Sequence, residues 1–384
     1  MSINQRLCET PSNEADSIRI FRQKLQTTPP RWKGVCGFDG FIDTFIRLEA
    51  PASMAEFGPK VAAAAGIAAS YPAQHLGDKF GGNGPLLLSG LHGLLNGEID
   101  LTYIGALGDP EPLPIFAEAL QDKTAHLYTL AEPAHSDCLE FTDGKVMLSD
   151  LRACADVTWE RILEKVGEET LSQRLAEADF IGAVNWGKLI HVGSVWEGFA
   201  EKLAALGRPA KEVPFFMDLA EFEQRPMEDR QELIALVERI TGQCTTMLSM
   251  NLKEAWQMAD SFDGDFHGAK EPQAVAALAA FLKEHIKVDK IIIHPNNGAV
   301  CADDNEAVWV SGPFCKEPLV STGAGDHFGA GCLIGSLLGL DNFGIALLGV
   351  CTSGYFVRTG EAPDFPKILA LLERWMAGDL PERL

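Results

Sequence analysis

The sequence predicts an α/β fold, a mainly parallel sheet with helices on both faces. Three observations carry this expectation. Short strand-like runs alternate with helical segments of about 10–15 residues through the middle of the chain, from Phe180 to His294. Residues able to do chemistry fall at the ends of those runs or at helix starts, where ligands bind in such sheets. Asp143-Gly144, set between alternating segments over Cys138–Ser149, is a strong hairpin signal that interrupts the pattern. It predicts a small antiparallel piece, about 136–150, projecting from the body as a lid.

The elements follow in order. Residues 1–30 read as a polar N-terminal extension with one amphipathic helix from Glu14 to Gln26, ended by Thr27-Thr28-Pro29-Pro30. Residues 31–384 read as the main domain. Val35–Ile46 reads as a first strand and its turn, and Met54–Ser70 as an Ala-rich helix. Gly81-Gly82-Asn83-Gly84-Pro85 opens a helix to Leu95, with Pro85 suited to its first turn. Strands are expected at Asp100–Ala106, Phe180–Asn185, Val213–Asp218, Thr246–Ser249, Lys290–His294 and within Val300–Val310. Helices are expected at Val157–Ala178, Glu197–Leu206, Arg230–Thr241, Lys253–Ala259 and Ala274–His285. The last third reads as helical, over Ala324–Leu338, Phe343–Arg358 and Pro366–Met376.

Composition narrows the function. The chain has 384 residues, 46% hydrophobic, and a net charge of −22, which disfavours a nucleic-acid partner, since duplex binders need a basic surface. No run of 18 apolar residues appears and the N-terminus lacks a secretory pattern, so no membrane partner is expected and the cytoplasm is the expected location. The nine cysteines are scattered, no two within four residues, which disfavours a zinc site or redox pair and fits a reducing compartment. No tightly bound protein-ligated metal is expected.

Four clusters carry the chemistry. Thr322-Gly323-Ala324-Gly325-Asp326 stands at a helix start, where free backbone N–H groups and the helix dipole favour a bound anion. Asp326 beside such an anion is suited to accept a proton from a nucleophile attacking a phosphate. Gly329, Gly331 and Gly335 in the same helix imply close packing, since each costs about 1 kcal/mol against Ala. Gly81-Gly82-Asn83 reads either as a cap turn or as part of a pocket. Asn251 and Glu254 read either as a capping box or as groups reaching a Mg²⁺-bound triphosphate. Asp39 and Asp43, after the first strand, read either as a solvated turn or as acceptors for vicinal hydroxyls.

In this order and spacing, the four clusters resemble the ribokinase-like (PfkB) carbohydrate kinases over roughly residues 33–384. Phe216-Met217-Asp218 is similar to that family's internal strand ending in Asp. The resemblance implies a three-layer α/β sandwich with a small β lid. It also implies transfer of the ATP γ-phosphate to a hydroxyl, usually primary, of a sugar, with Mg²⁺. Asp326 would be the base, with an anion hole at Gly323, Ala324 and Gly325. Asn251 and Glu254 would organise Mg²⁺ and the triphosphate, and His294 and Gly298 would stand in the nucleotide-binding turn. Asp43, Asp39, Gly82 and Asn83 would line the sugar pocket. The lid would exclude water, and pairing of relatives through their lids suggests a homodimer.

The match departs in three places. Val320 stands where the family commonly has an Asp beside a monovalent cation, so a cation requirement does not carry over. The turn after Ile291–Ile293 reads His294-Pro295-Asn296-Asn297-Gly298 in place of the usual T-x-G-x-x-G, leaving His294 either a phosphate donor or a satisfied loop histidine. An extra residue in the first motif leaves the main substrate ligand open between Asp39 and Asp43. Trp186 reads either as a sugar-stacking or as a core side chain. The alternatives to a sugar kinase are a nucleoside kinase of the same fold and a silent relative that binds a sugar or nucleotide.

Overall fold

The computed structural model describes residues 3–384. The first part of the chain runs β1 (Asn4–Cys8), α1 (Ala15–Gln26), β2 (Lys33–Phe38), β3 (Phe41–Leu48), α2 (Met54–Ala63), β4 (Ala73–Gly81) and α3 (Asn83–Leu94). Next come β5 (Asp100–Gly105), α4 (Pro114–Leu120), β6 (His126–Thr129) and the hairpin β7 (Ala134–Phe141) and β8 (Gly144–Asp150). The alternating middle is α5 (Trp159–Val166), α6 (Glu168–Glu177), β9 (Phe180–Val184), α7 (Val192–Ala205), β10 (Pro214–Asp218), α8 (Met227–Gln243), β11 (Thr245–Met250) and α9 (Leu252–Ala259). It closes with α10 (Pro272–His285), β12 (Lys290–Ile293), β13 (Gly298–Ala302), β14 (Glu306–Ser311), α11 (Ala324–Leu337), α12 (Asn342–Thr359) and α13 (Phe365–Ala377).

Ten strands form the main sheet in the order β1-β14-β13-β12-β11-β10-β9-β2-β5-β6. Every pairing is parallel except those of β13, which is antiparallel to both neighbours. Alternate side chains feed two cores. Phe215 and Met217 of β10 pack with α7 and α8, whereas Phe216 faces α3 and α11 from the other side. This is the expected three-layer sandwich. All nine cysteines are free, and all but Cys315 are buried.

The lid is larger than expected. It is a four-stranded sheet, β4-β3-β7-β8, whose central pair β3–β7 is parallel, with antiparallel strands outside. The expected hairpin is present, but the run Val35–Ile46 is two strands rather than one. β2 stays in the main sheet and β3 begins the lid, with Asp39-Gly40 between them. Three further readings change. The helical stretch Val157–Ala178 divides at Gly167, whose φ is +84°. The run Val300–Val310 is a β13–β14 hairpin. The N-terminal segment contributes an edge strand, β1, paired with β14, as well as the expected helix. The strands β4 and β6 and the helix α4 have no counterpart in the sequence reading.

Parallel pairing puts the carboxyl ends of β2, β9, β10, β11 and β12 along one edge. Asp39, Lys188, Asp218, Asn251 and His294 follow or end these strands. The two Gly-bearing helix starts, α3 and α11, reach the same edge, because α3 packs along α11.

Candidate active site

Gly323 precedes α11 with φ +87°, a left-handed conformation that favours glycine. Behind it, Gly325 and Asp326 of the first turn line a cleft of about 360 Å³, whereas the Ala324 N–H is spent on the Ser321 carbonyl at 3.3 Å. The loop is held from behind by His327. Its Nδ1 lies 2.8 Å from the Gly323 carbonyl, which only accepts, so this nitrogen carries the proton. The same ring stacks on Phe356 at 3.7 Å, and burial holds it down to about 4, so it stays neutral at pH 7.

Asp326 projects from this turn into the cleft, and Asn83 Nδ2 donates to its Oδ1 at 2.8 Å. Its carboxyl is raised well above the ordinary value, first by desolvation and then by the nearby charge of Asp218. Asn83 opens α3, and its backbone N–H donates to Asp39 Oδ2 at 2.8 Å. One residue therefore ties together the carboxylates of two clusters.

The two candidate substrate carboxylates differ in environment. Asp39 is 1% exposed, and its oxygens accept from Asn83 N, Gly84 N and Asn185 Nδ2 at 2.8, 2.8 and 2.6 Å. Burial pushes its carboxyl up and these three donors pull it back. It anchors the start of α3, where a carboxylate suits the helix dipole. Gly82 permits this approach, since a Cβ there would lie 3.2 Å from the Asp39 carboxyl. Asp43 sits on lid strand β3, nearly buried, and its Oδ1 has no partner. It lines a lid-side cavity of about 830 Å³. Desolvation raises its carboxyl, while the charges of Lys145 and Lys188 oppose that rise. The Asp43 Oδ1 thus has unused accepting capacity, whereas both Asp39 oxygens are engaged by donors of the protein.

At the opposite end, the capping-box reading of Asn251 and Glu254 is the observed geometry. Asn251 Oδ1 accepts from Glu254 N and Glu254 Oε2 accepts from Asn251 N, both at 2.9 Å. Asn251 Nδ2 also donates to Glu254 Oε1 at 2.6 Å. The two side chains line the cleft with Asp218 and Asp326, so capping and cleft lining coexist. Glu254 and Asp218 are both raised, chiefly by burial, and their mutual repulsion raises Glu254 further.

The nucleotide-turn residues separate. His294 lines the cleft, its ring 4.7 Å from that of Phe328, and burial lowers it to about 4. Gly298 does not line the cleft. It is buried at the start of β13, where a Cβ would meet the Val310 carbonyl at 2.7 Å. Trp186 is a core side chain, packed edge-on to Phe222 at 5.6 Å and under the Arg225 guanidinium at 4.6 Å. Val320 lines the lid-side cavity.

Two lysines beside the site, Lys188 and Lys145, were missed in the sequence, whereas Asn185, at the end of the expected strand Phe180–Asn185, reads with Trp186 as a candidate contributor to the pocket. Asn185, with φ +66°, holds Asp39 and also accepts from Lys188 N at 3.3 Å. Lys188 lines the cleft, and Lys145 of the lid bonds Thr322 Oγ1 beside the anion loop.

The sequence profile of the prokaryotic ketohexokinase family matches residues 90–375. A ketohexokinase of Haloferax volcanii is 27% identical over 278 residues, covering 71% of this chain and 70% of that protein. Among solved structures, Arabidopsis thaliana ribokinase complexed with ribose and ATP superposes with a TM-score of 0.61 at 17% identity, over 90% of this chain and 99% of that one. Adenosine kinase from Sinorhizobium meliloti gives a TM-score of 0.59 at 17% identity, over 85% and 94%. These two share the fold and differ in acceptor, so the fold alone leaves the acceptor open. On the profile match, which spans most of its length, the chain belongs to the prokaryotic ketohexokinase family, within the ribokinase-like (PfkB) superfamily of carbohydrate and nucleoside kinases.

Proposed function

We propose that this protein transfers the γ-phosphate of ATP to a primary hydroxyl of a ketohexose. The family and the ketohexokinase of Haloferax volcanii support the acceptor. The observation that supports the chemistry is the Asn83 bridge, which holds Asp326 at the start of α11 and Asp39 at the start of α3 through one residue. Asp326 accepts the proton of the attacking hydroxyl, and its raised basicity suits that task better than an ordinary carboxylate would. Of the expected anion hole at Gly323, Ala324 and Gly325, the Ala324 N–H is bonded to Ser321, and the amides of Gly323 and Gly325 stabilise charge on the phosphoryl group. Asp43 accepts from sugar hydroxyls on the lid side, and Gly82 and Asn83 stand nearer Asp39 and Asp326.

The donor set fits Mg²⁺. Asp218 and Glu254 are carboxylates facing one cleft, each raised first by burial and then by neighbouring carboxylate charge, and Mg²⁺ takes one or two such oxygens together with phosphates. Bound there, the ion would neutralise charge on the triphosphate. Asn251 orients Glu254, and the lid excludes water from the transfer. A monovalent cation is outside this proposal. Val320 offers no side-chain oxygen at that flank, and the Lys145 ammonium already bonds Thr322.

The test is ADP release from MgATP with a panel of fructose, tagatose, psicose, glucose, ribose and adenosine. The highest kcat/KM is expected on a ketohexose. Turnover confined to adenosine would replace the acceptor, and no turnover with any member would overturn the enzymatic reading.

A further inference from the structure

Five carboxylates line the cleft, those of Asp218, Glu221, Glu223, Glu254 and Asp326. A polyphosphate entering such a cleft meets repulsion unless cations offset it. The basic side chains in the lining are Lys188, Lys253 and His294. Lys253 is paired with Glu223, and His294, lowered to about 4 by burial, is neutral at pH 7. Lys188 takes part in none of the lysine ion pairs among the described residues. It is the uncommitted positive charge of the cleft.

Its placement is built rather than incidental. Asn185, in its left-handed conformation, donates to Asp39 and accepts from the Lys188 N–H, which ties the Lys188 backbone to the carboxylate that anchors α3. The ammonium lies 5.2 Å from the centre of the Phe41 ring at the root of the lid. Its charge favours the ionised forms of Asp39, Asp43 and Glu254, so it acts on both the lid side and the Asn251–Glu254 side.

We infer that Lys188 is a catalytic residue whose ammonium contacts the γ-phosphoryl oxygens during transfer, between the Asn251–Glu254 end and the Gly323–Asp326 loop. This rests on the phosphotransfer reading above. The ammonium keeps its protons throughout, and the hydroxyl proton goes to Asp326.

Calorimetric titration of the full chain with Mg²⁺ and either ADP or the β,γ-imido analogue of ATP tests it, for wild type, Lys188→Met and Lys188→Arg. Lys188→Met is expected to lose about tenfold or more in affinity for the analogue, with ADP affinity within about twofold, as for the loss of one charge-assisted contact. Lys188→Arg is expected to retain most of the preference for the analogue. A Lys188→Met protein that folds and binds both nucleotides as wild type does, or loses both equally, overturns the inference. A purely structural role, balancing Asp39 and Asp43, would leave the ratio of the two affinities unmoved. The readout needs no sugar, so a wrong acceptor leaves it intact. A wild type that binds neither nucleotide defeats both this inference and the phosphotransfer reading.

Discussion

Asn83 and Asp218 show how single residues tune the site. Asn83 spends its backbone N–H on Asp39 and its side chain on Asp326, while Asp218 raises Asp326 through charge. Burying Asp218 carries a cost in stability. Its carboxyl is raised by desolvation, so the protonated form is favoured in the fold. That contribution is present below the ordinary carboxylate value and is lost as pH rises through the raised one. Asp218→Asn is therefore expected to raise the melting temperature of the nucleotide-free protein by about 1–3 °C at pH 8, with the gain shrinking towards pH 4. Thermal unfolding followed at both pH values checks this, and a loss of stability at pH 8 would contradict it. For Asp43, the orphaned Oδ1 predicts a binding role. Asp43→Ala should raise the KM for the sugar about 10–100-fold while kcat changes much less, since a contact kept from ground state to transition state affects binding alone. An unchanged KM would remove Asp43 from the sugar pocket.

At the scale of elements, the site depends on α3 and α11 lying side by side, and α11 in turn lies against α12. The glycines of α11 allow this. A Cβ on Gly331 would meet the Leu348 carbonyl and Thr352 Oγ1, each at 2.7 Å, and one on Gly329 would meet the Phe216 ring at 2.8 Å. Gly331→Leu should destabilise the protein by about 1–3 kcal/mol through overpacking, read as a lower denaturant midpoint. An unaltered midpoint would mean that the α11–α12 contact is looser than described. This packing was legible in the sequence, because glycines that weaken a helix imply a close neighbour. The lid was only partly legible. Asp143-Gly144 marks its hairpin, but β4 is almost wholly exposed and so carries no hydrophobic period. Strand β1 pairs with residues some 300 positions away, and no local pattern records that pairing.

Across the whole molecule, the sheet gathers strand ends into one acidic cleft on a chain of net charge −22. The parts of the site that were legible share a cause. Gly323, Gly82, Asn83 and the Asn251–Glu254 box each impose a local backbone geometry that short sequence patterns record. Lys188 imposes none, and its role emerges only once Lys253 and His294 are seen to be paired and neutral. The difference between Asp39 and Asp43 likewise shows only in the fold, which gives the first three backbone and amide donors and leaves an oxygen of the second without a partner. The central claim is that Asp326 is the base of a phosphoryl transfer. Its most direct test compares kcat of wild type and Asp326→Asn with MgATP and the preferred ketohexose, alongside MgATP affinity by calorimetry. The account predicts a loss of about 10²–10⁴ in kcat with nucleotide affinity within a few-fold. A kcat for Asp326→Asn equal to that of wild type would contradict it.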